Sequence, residues 1–157
     1  MKGKPMATNK NLIIEGAEIL FRNFAGAESK FNAKGNRNFC VILDQRTANE
    51  CLKEGWNVKY LKPRDEDDEE RPYISVSVSY DNIPPKVVLV SGKKKTIMTA
   101  DTIEILDWAE LINVDVVIRP YNWQVNSSSG VKGYLKTMYV TVEPDEFEDK
   151  YADEDEN

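Results

Sequence analysis

The 157 residues include 21 basic and 27 acidic side chains and no histidine, a formal net charge of −6. A chain of this length folds as one domain with its own core, and without histidine there is no Ser-His-Asp or Cys-His catalysis, no Cys/His zinc site and no imidazole pH switch. Cys40 and Cys51 lack CxxC spacing, no signal-peptide pattern opens the chain, and no apolar run approaches the ~20 residues of a spanning helix; the expectation is a soluble, cytoplasmic protein without enzymatic activity, metal or cofactor.

Residues 1–11 are polar, carry Lys2, Lys4 and Lys10, and read as a disordered basic N-terminus. Residues 12–24 read as one long strand bent at a Gly16 bulge, with Ala17, Ile19 and Phe21 on one face and Glu18, Leu20 and Arg22 on the other. Phe21 and Phe39 are expected in the core. A loop at 25–37 leads to a strand at 38–43. Asp44 then caps a helix that runs through Glu54 and stops at Gly55, burying Ala48, Cys51 and Leu52. A brief strand at 57–61 ends at Pro63 and a run of carboxylates at 65–70.

Residues 73–80 alternate, with Ile74, Val76, Val78 and Tyr80 inward and Tyr73, Ser75, Ser77 and Ser79 outward. After a turn at 81–85, strands at 86–91 and 96–99 flank a hairpin tip of Gly92, Lys93, Lys94 and Lys95. Asp101 and Glu104 are spaced as a capping box for a helix to Leu111. Two long strands, 114–125 and 131–142, are joined by a flexible turn at 126–130. Trp56 and Trp108 have apolar neighbours and read as core or helix packing. The expected fold is mostly β with short helices: a five-stranded OB-type barrel over 12–142 with an added hairpin, and a disordered acidic tail at 143–157. A β-sandwich is the alternative.

The acidity is local. Residues 143–157 hold nine acids and one base, Lys150, and residues 65–70 hold six acids; the rest of the chain has 20 bases against 12 acids, a net +8. Both acidic runs are too densely charged to bury apolar surface and are expected to be solvated. The tail also carries Phe147 and Tyr151, which with Asp153, Glu154, Asp155 and Glu156 suit it to docking on basic surfaces. The run at 65–70 lacks the glycine-punctuated spacing of a calcium loop, and the Gly92 region lacks the spacing of a phosphate loop.

The last hairpin carries the clearest chemistry. Arg119, Tyr121 and Trp123 share one parity, and Lys132, Tyr134 and Lys136 share one parity opposite them. Cations neutralise phosphates and flat rings stack on unpaired bases, a combination that favours single strands because duplex hides the base faces. The three rings also fit a core, except that lysines flank Tyr134 and lysine is almost never fully buried. A second cluster, Arg22, Lys30, Phe31, Lys34 and Arg37, lies in and before the first loop, which in an OB fold borders the same cleft. Lys93 and Lys94 are further phosphate-contact candidates.

Residues 20–24 with the basic glycine loop that follows, residues 56–62, the 117–123 to 134–136 hairpin and the acidic tail together resemble phage-encoded single-stranded DNA-binding proteins of OB fold. The resemblance implies a replication or recombination accessory protein that coats single strands, with a tail that contacts polymerase, helicase or recombinase and competes with DNA for the cleft. It also implies the host cytoplasm and a possible homo-oligomer. Two other readings remain open at the level of sequence: an acidic nucleic-acid mimic that inhibits a host protein, and a structural virion protein.

Overall fold

The first strand serves two neighbours because it breaks at Gly16. In the computed structural model, which describes residues 10–144 apart from positions 64, 66 and 82, the expected long strand is two halves, β1 (Leu12–Ile14) and β2 (Ile19–Asn23). Gly16 sits at φ +60° and its N–H donates to Asp115 Oδ1 at 2.8 Å. Ala17 N–H still reaches the Val114 carbonyl at 2.7 Å, whereas the Glu18 carbonyl already accepts from Ile42 N–H at 3.0 Å. The backbone therefore passes from one partner strand to another within two residues, in the left-handed region that glycine enters at no steric cost.

The remaining elements are β3 (Arg37–Ile42), α1 (Gln45–Glu54), β4 (Lys59–Leu61), β5 (Arg71–Val78), β6 (Lys86–Ser91), β7 (Lys94–Met98), a 3₁₀ helix (Ile103–Asp107), β8 (Leu111–Val125) and β9 (Ser128–Val142). Pairing runs β1-β8-β9-β5-β3-β2. Since β1 and β2 are consecutive halves of one bent segment, this path returns on itself. β5 runs parallel to β9, and the other pairs on the path are antiparallel. The result is a single mixed sheet that curves back toward its first strand, consistent with an OB-like fold rather than with two stacked sheets. The β6–β7 hairpin is added alongside β9, and β4 is added to β5.

The interior is filled by Phe24, Phe39, Val41, Val76, Ile118, Met138 and Val140, with Ile103 and Leu106 of the 3₁₀ helix packed among them. Lys136 explains how β9 stays in register with that core. Ile118 pairs with Leu135 and Val117 with Thr137, so Lys136 is an extra residue on its strand. Before this bulge Val131, Gly133 and Leu135 are buried; after it Met138 and Val140 are. The bulge shifts the inward parity by one and leaves Lys132, Tyr134 and Lys136 outward.

α1 forms where the sequence places it. Asp44 accepts from Thr47 N–H at 2.7 Å, and Gly55 ends the helix at φ +95°. Ala48 and Cys51 are buried, but Leu52 is exposed. Burial pushes the Cys51 thiol up to about 11, helped by the charges of Glu54, Glu50 and Asp44.

Several expectations are corrected. The register between β2 and β3 shifts between Leu20 and Asn23, and Phe21 takes φ +51°. This turns its ring out to 62% exposure, edge-on to Tyr73 at 6.1 Å. A bulky residue in that region carries about 1–3 kcal/mol of strain. The capping-box helix is only a 3₁₀ helix: Thr102 makes no side-chain cap bond, and its hydroxyl instead accepts from Thr99 N–H at 2.8 Å. Trp108, at the end of that helix, is 69% exposed rather than core. The two hairpin turns are tighter than expected. Ser91 pairs with Lys94, and Val125 with Ser128, so Lys94, Ser128 and Ser129 are strand residues.

Candidate nucleic-acid interface

Past Tyr73 the outward row of β5 is small, Ser75 and Ser77 with Ser79 just beyond the strand, and it lies directly beside β9 through the pairs Val76–Gly133 and Ser77–Tyr134. Small residues keep the floor low between taller neighbours. Beyond Pro120 the β8–β9 hairpin projects from the barrel, and its first strand is exposed from Tyr121 to Val125. The indole of Trp123 lies against Gly130, where an added Cβ would come within 2.8 Å of it; at Gly133 a Cβ would meet Ile118 Cγ2 at 2.9 Å and the Trp56 ring at 3.1 Å. Both glycines are required for this close approach.

Two adjoining cavities follow this floor. The first, about 700 Å³, is lined by Trp56, Asn57, Lys59, Ser75, Trp123 and Lys132 among others. The second, about 420 Å³, is lined by Asn36, Arg37, Asn38, Tyr80, Asp81 and Tyr134 among others. Ser77 and Lys132 line both, so the two adjoin along the β5–β9 face. Trp56 is buried, as expected, and braces the first cavity. Its Nε1–H donates to Glu54 Oε2 at 3.3 Å, and the neighbouring Gly55 carbonyl accepts from Val131 N–H at 2.9 Å.

Tyr134 is the centre of the arm's chemistry. The Arg119 guanidinium lies 5.3 Å from its ring centroid, Lys132 Nζ 5.0 Å, and Tyr121 stands edge-on at 6.0 Å. Trp123 keeps 36% of its surface exposed at the groove. The sequence leaves open whether these rings are core or surface; Tyr121 and Trp123 are exposed and Tyr134 is half-buried. Lys136 is exposed at the bulge on the same face.

The first loop supplies the opposite wall. Arg37 donates to the Phe24 carbonyl at 2.7 Å and places its guanidinium 5.7 Å from the Tyr80 ring centroid. Burial raises the Tyr80 phenol above its usual range, partly offset by Arg37, and its hydroxyl is buried without a hydrogen-bond partner. Asn32 organises the loop: its amide donates to the Ala27 and Asn36 carbonyls at 2.9 and 3.0 Å, and its oxygen accepts from Asn38 at 3.0 Å. On this ordered loop Phe31 is 92% exposed, with Lys30 Nζ 5.8 Å from its ring, and Lys34 is exposed nearby.

Other candidates are placed elsewhere. Arg22 is half-buried and donates to the Leu106 and Ala109 carbonyls at 2.9 and 2.8 Å. Together with Asp107, which accepts from Phe24 and Ala25 N–H at 2.6 and 3.0 Å, it fastens the 3₁₀ helix to β2. Lys93 and Lys94 lie at the β6–β7 tip, beside Val142 through the Ser91–Val142 pair. That is about 25 Å along β9 from Tyr134. Phe147, Tyr151, Asp153, Glu154, Asp155 and Glu156 lie outside the described residues.

Lys59, Asn38, Tyr80 and the serines Ser75, Ser77 and Ser79 are groove residues that the sequence does not single out. The serine row was visible as the outward half of β5; its meaning depends on the β5–β9 pairing, which is remote in sequence. At one end of β5 the groove face closes on an ion pair: Arg71 donates to both Glu18 oxygens at 2.9 and 2.7 Å. The hydrogen bond from Arg71 holds the Glu18 carboxyl below its usual range. Among the described residues no cluster of three or more cysteine or acidic side chains could hold a metal ion, and no helix is long and apolar enough to cross a membrane.

The strand face thus carries a groove bordered by basic and aromatic side chains, Lys59, Lys132, Arg37, Trp123 and Tyr134. The family profile described as "Putative phage ssDNA-binding domain" matches residues 3–157, and the chain belongs to that family. Among solved structures, the chain is similar to the single-stranded DNA-binding protein from bacteriophage Enc34 in complex with ssDNA, with a TM-score of 0.57 and 9% identity over 86% of this chain and 88% of that one. A second structure of the single-stranded DNA-binding protein from bacteriophage Enc34 gives a TM-score of 0.53 and 10% identity over 86% of this chain and 82% of that one. Its C-terminal truncation gives 0.53 and 10% over 86% and 87%. At these identities the likeness concerns the fold. No curated protein matches the chain.

Proposed function

We propose that this chain binds single-stranded DNA non-enzymatically in the groove across β5 and β9, as an accessory protein of phage replication or recombination in the host cytoplasm. The observation that carries this reading is the continuity of the groove through Ser77 and Lys132, with Trp123 at one end and Tyr134 and Arg37 at the other. Family membership supports it independently. Bases stack on Trp123 and Tyr134 while phosphates run past Lys59, Lys132, Arg119 and Arg37. Phe31, Lys30 and Lys34 reach the strand from the first loop, and Tyr121 and Lys136 from the arm. No element offers a helix for reading base edges in a duplex groove, so sequence preference is low.

In this reading residues 143–157 compete with DNA for the groove and, once displaced, offer Phe147, Tyr151 and the terminal acids to a replication or recombination partner. A gel shift with labelled single strands, competed with duplex, tests the function. Retention of the single strand against excess duplex is expected, and deletion of 143–157 tightens it. Failure to shift any oligonucleotide even at low salt contradicts the reading and favours an acidic mimic. Unchanged affinity after the deletion removes the competition.

A further inference from the structure

The groove does not exhaust the aromatic surface on this face. Phe21 is strained and exposed at once: φ +51° at a residue with a large side chain, on a ring that fills no core space. It stands edge-on to Tyr73, and Tyr73 heads the outward row that continues as Ser75, Ser77 and Ser79, the floor of the groove. Across the sheet Tyr73 is paired with Lys59, whose side chain lines the first cavity. Between Phe21 and Tyr73 the outward residues are Leu20, Cys40 and Ile42, all half-buried. The face is thus apolar and aromatic with one lysine at its side. It ends at the Arg71–Glu18 ion pair, where the positive charge is already neutralised.

We infer that Phe21 and Tyr73 form an additional base-stacking station that extends the single-strand path beyond the groove, past Lys59, and that the Glu18–Arg71 pair marks its end. The inference rests on the groove being the DNA site. The row from Tyr73 to Ser79 is about 20 Å long, so the station lengthens the contacted strand rather than strengthening its centre. Strain kept at an exposed aromatic is what a binding position needs: the bulge gives up local comfort to hold the ring where a base can reach it.

The test is affinity as a function of oligo(dT) length, from about four to about sixteen nucleotides, for the full chain and for Phe21→Gly, Phe21→Trp and Trp123→Ala. Glycine accepts the left-handed backbone, so Phe21→Gly is expected to leave Tm unchanged or raised. It should weaken binding of long oligonucleotides roughly tenfold, spare the shortest that bind, and shorten the length at which affinity levels off. Phe21→Trp restores the long-oligonucleotide affinity. A Phe21→Gly protein with unaltered length dependence, with equal loss at every length, or with lowered Tm and normal affinity overturns the inference. If Trp123→Ala still weakens every length, the groove reading survives that result. If the unmodified chain binds no oligonucleotide, both fall.

Discussion

The two ends of β9 share a strand and differ in everything else. From Val131 to Lys136 it is paired along one side with the β8 arm and touches β5 at only two residues, and its outward side chains, Lys132, Tyr134 and Lys136, border open space. From Thr137 to Val142 it is enclosed between β8 and β6, and Met138 and Val140 are fully buried. One extra residue, Lys136, separates the regimes. The lesson concerns composition as much as geometry. Lysines occur at both ends, but only Lys132 has both an aromatic neighbour and an adjacent cavity, which is why the proposed path runs past it and not past Lys93 and Lys94.

That contrast can be broken by substitution, beginning with the enclosed end. Met138→Ala opens a cavity in the core and is expected to cost about 2–5 kcal/mol of stability in denaturant unfolding, with the affinity of the folded protein unchanged. At the open end the signs reverse: Trp123→Ala is expected to cost about 1–3 kcal/mol of binding with little loss of Tm. Lys132→Ala and Lys94→Ala sharpen the comparison between cations. Lys132→Ala should reduce the salt dependence of binding by about one phosphate contact, a slope change of roughly 0.7 for a single strand. Lys94→Ala should leave that slope as it was; an equal change in both would place DNA at both ends.

The smallest effect concerns the end of β5. Glu18 is held below its usual range by Arg71, so the pair contributes at pH values above the unfolded carboxylate pKa and its contribution fades as pH falls through the folded one. Both partners are exposed, and less than about 1 kcal/mol is at stake. Glu18→Gln should flatten that acid-side slope in urea titrations at successive pH values and leave neutral affinity nearly intact.

Local signals in the sequence specify their elements directly. Asp44, Gly55 and the apolar alternation of β5 specify their elements through neighbours only a few residues away, and the structure keeps them. The cation-aromatic parity of Arg119 to Trp123 and Lys132 to Lys136 was legible because strand parity is a period of two. What was not legible depends on distant pairing. Phe21 follows the inward parity of its strand until a register shift against β3 turns it out. Arg22 reads as a free cation until the 3₁₀ helix, more than eighty residues later, supplies two carbonyls. Trp108 has apolar neighbours in sequence, but Ile103 and Leu106 enter the core without it and leave its ring exposed. Lys59 and the serine row acquire meaning only when β5 lies against β9.

The central claim is that a single strand of DNA passes over Trp123. Intrinsic fluorescence tests it directly, because Trp56 is buried beneath the groove, Trp108 is exposed outside it and Trp123 lies in it. Titration of the full chain with poly-dT at several salt concentrations should quench the emission with a salt-dependent midpoint. In Trp123→Phe, which keeps a ring for stacking, binding measured by anisotropy of a labelled strand should persist while most of the quenching disappears. Undiminished quenching in Trp123→Phe, or binding in the full chain without any change in emission, would contradict a path through the β5–β9 groove.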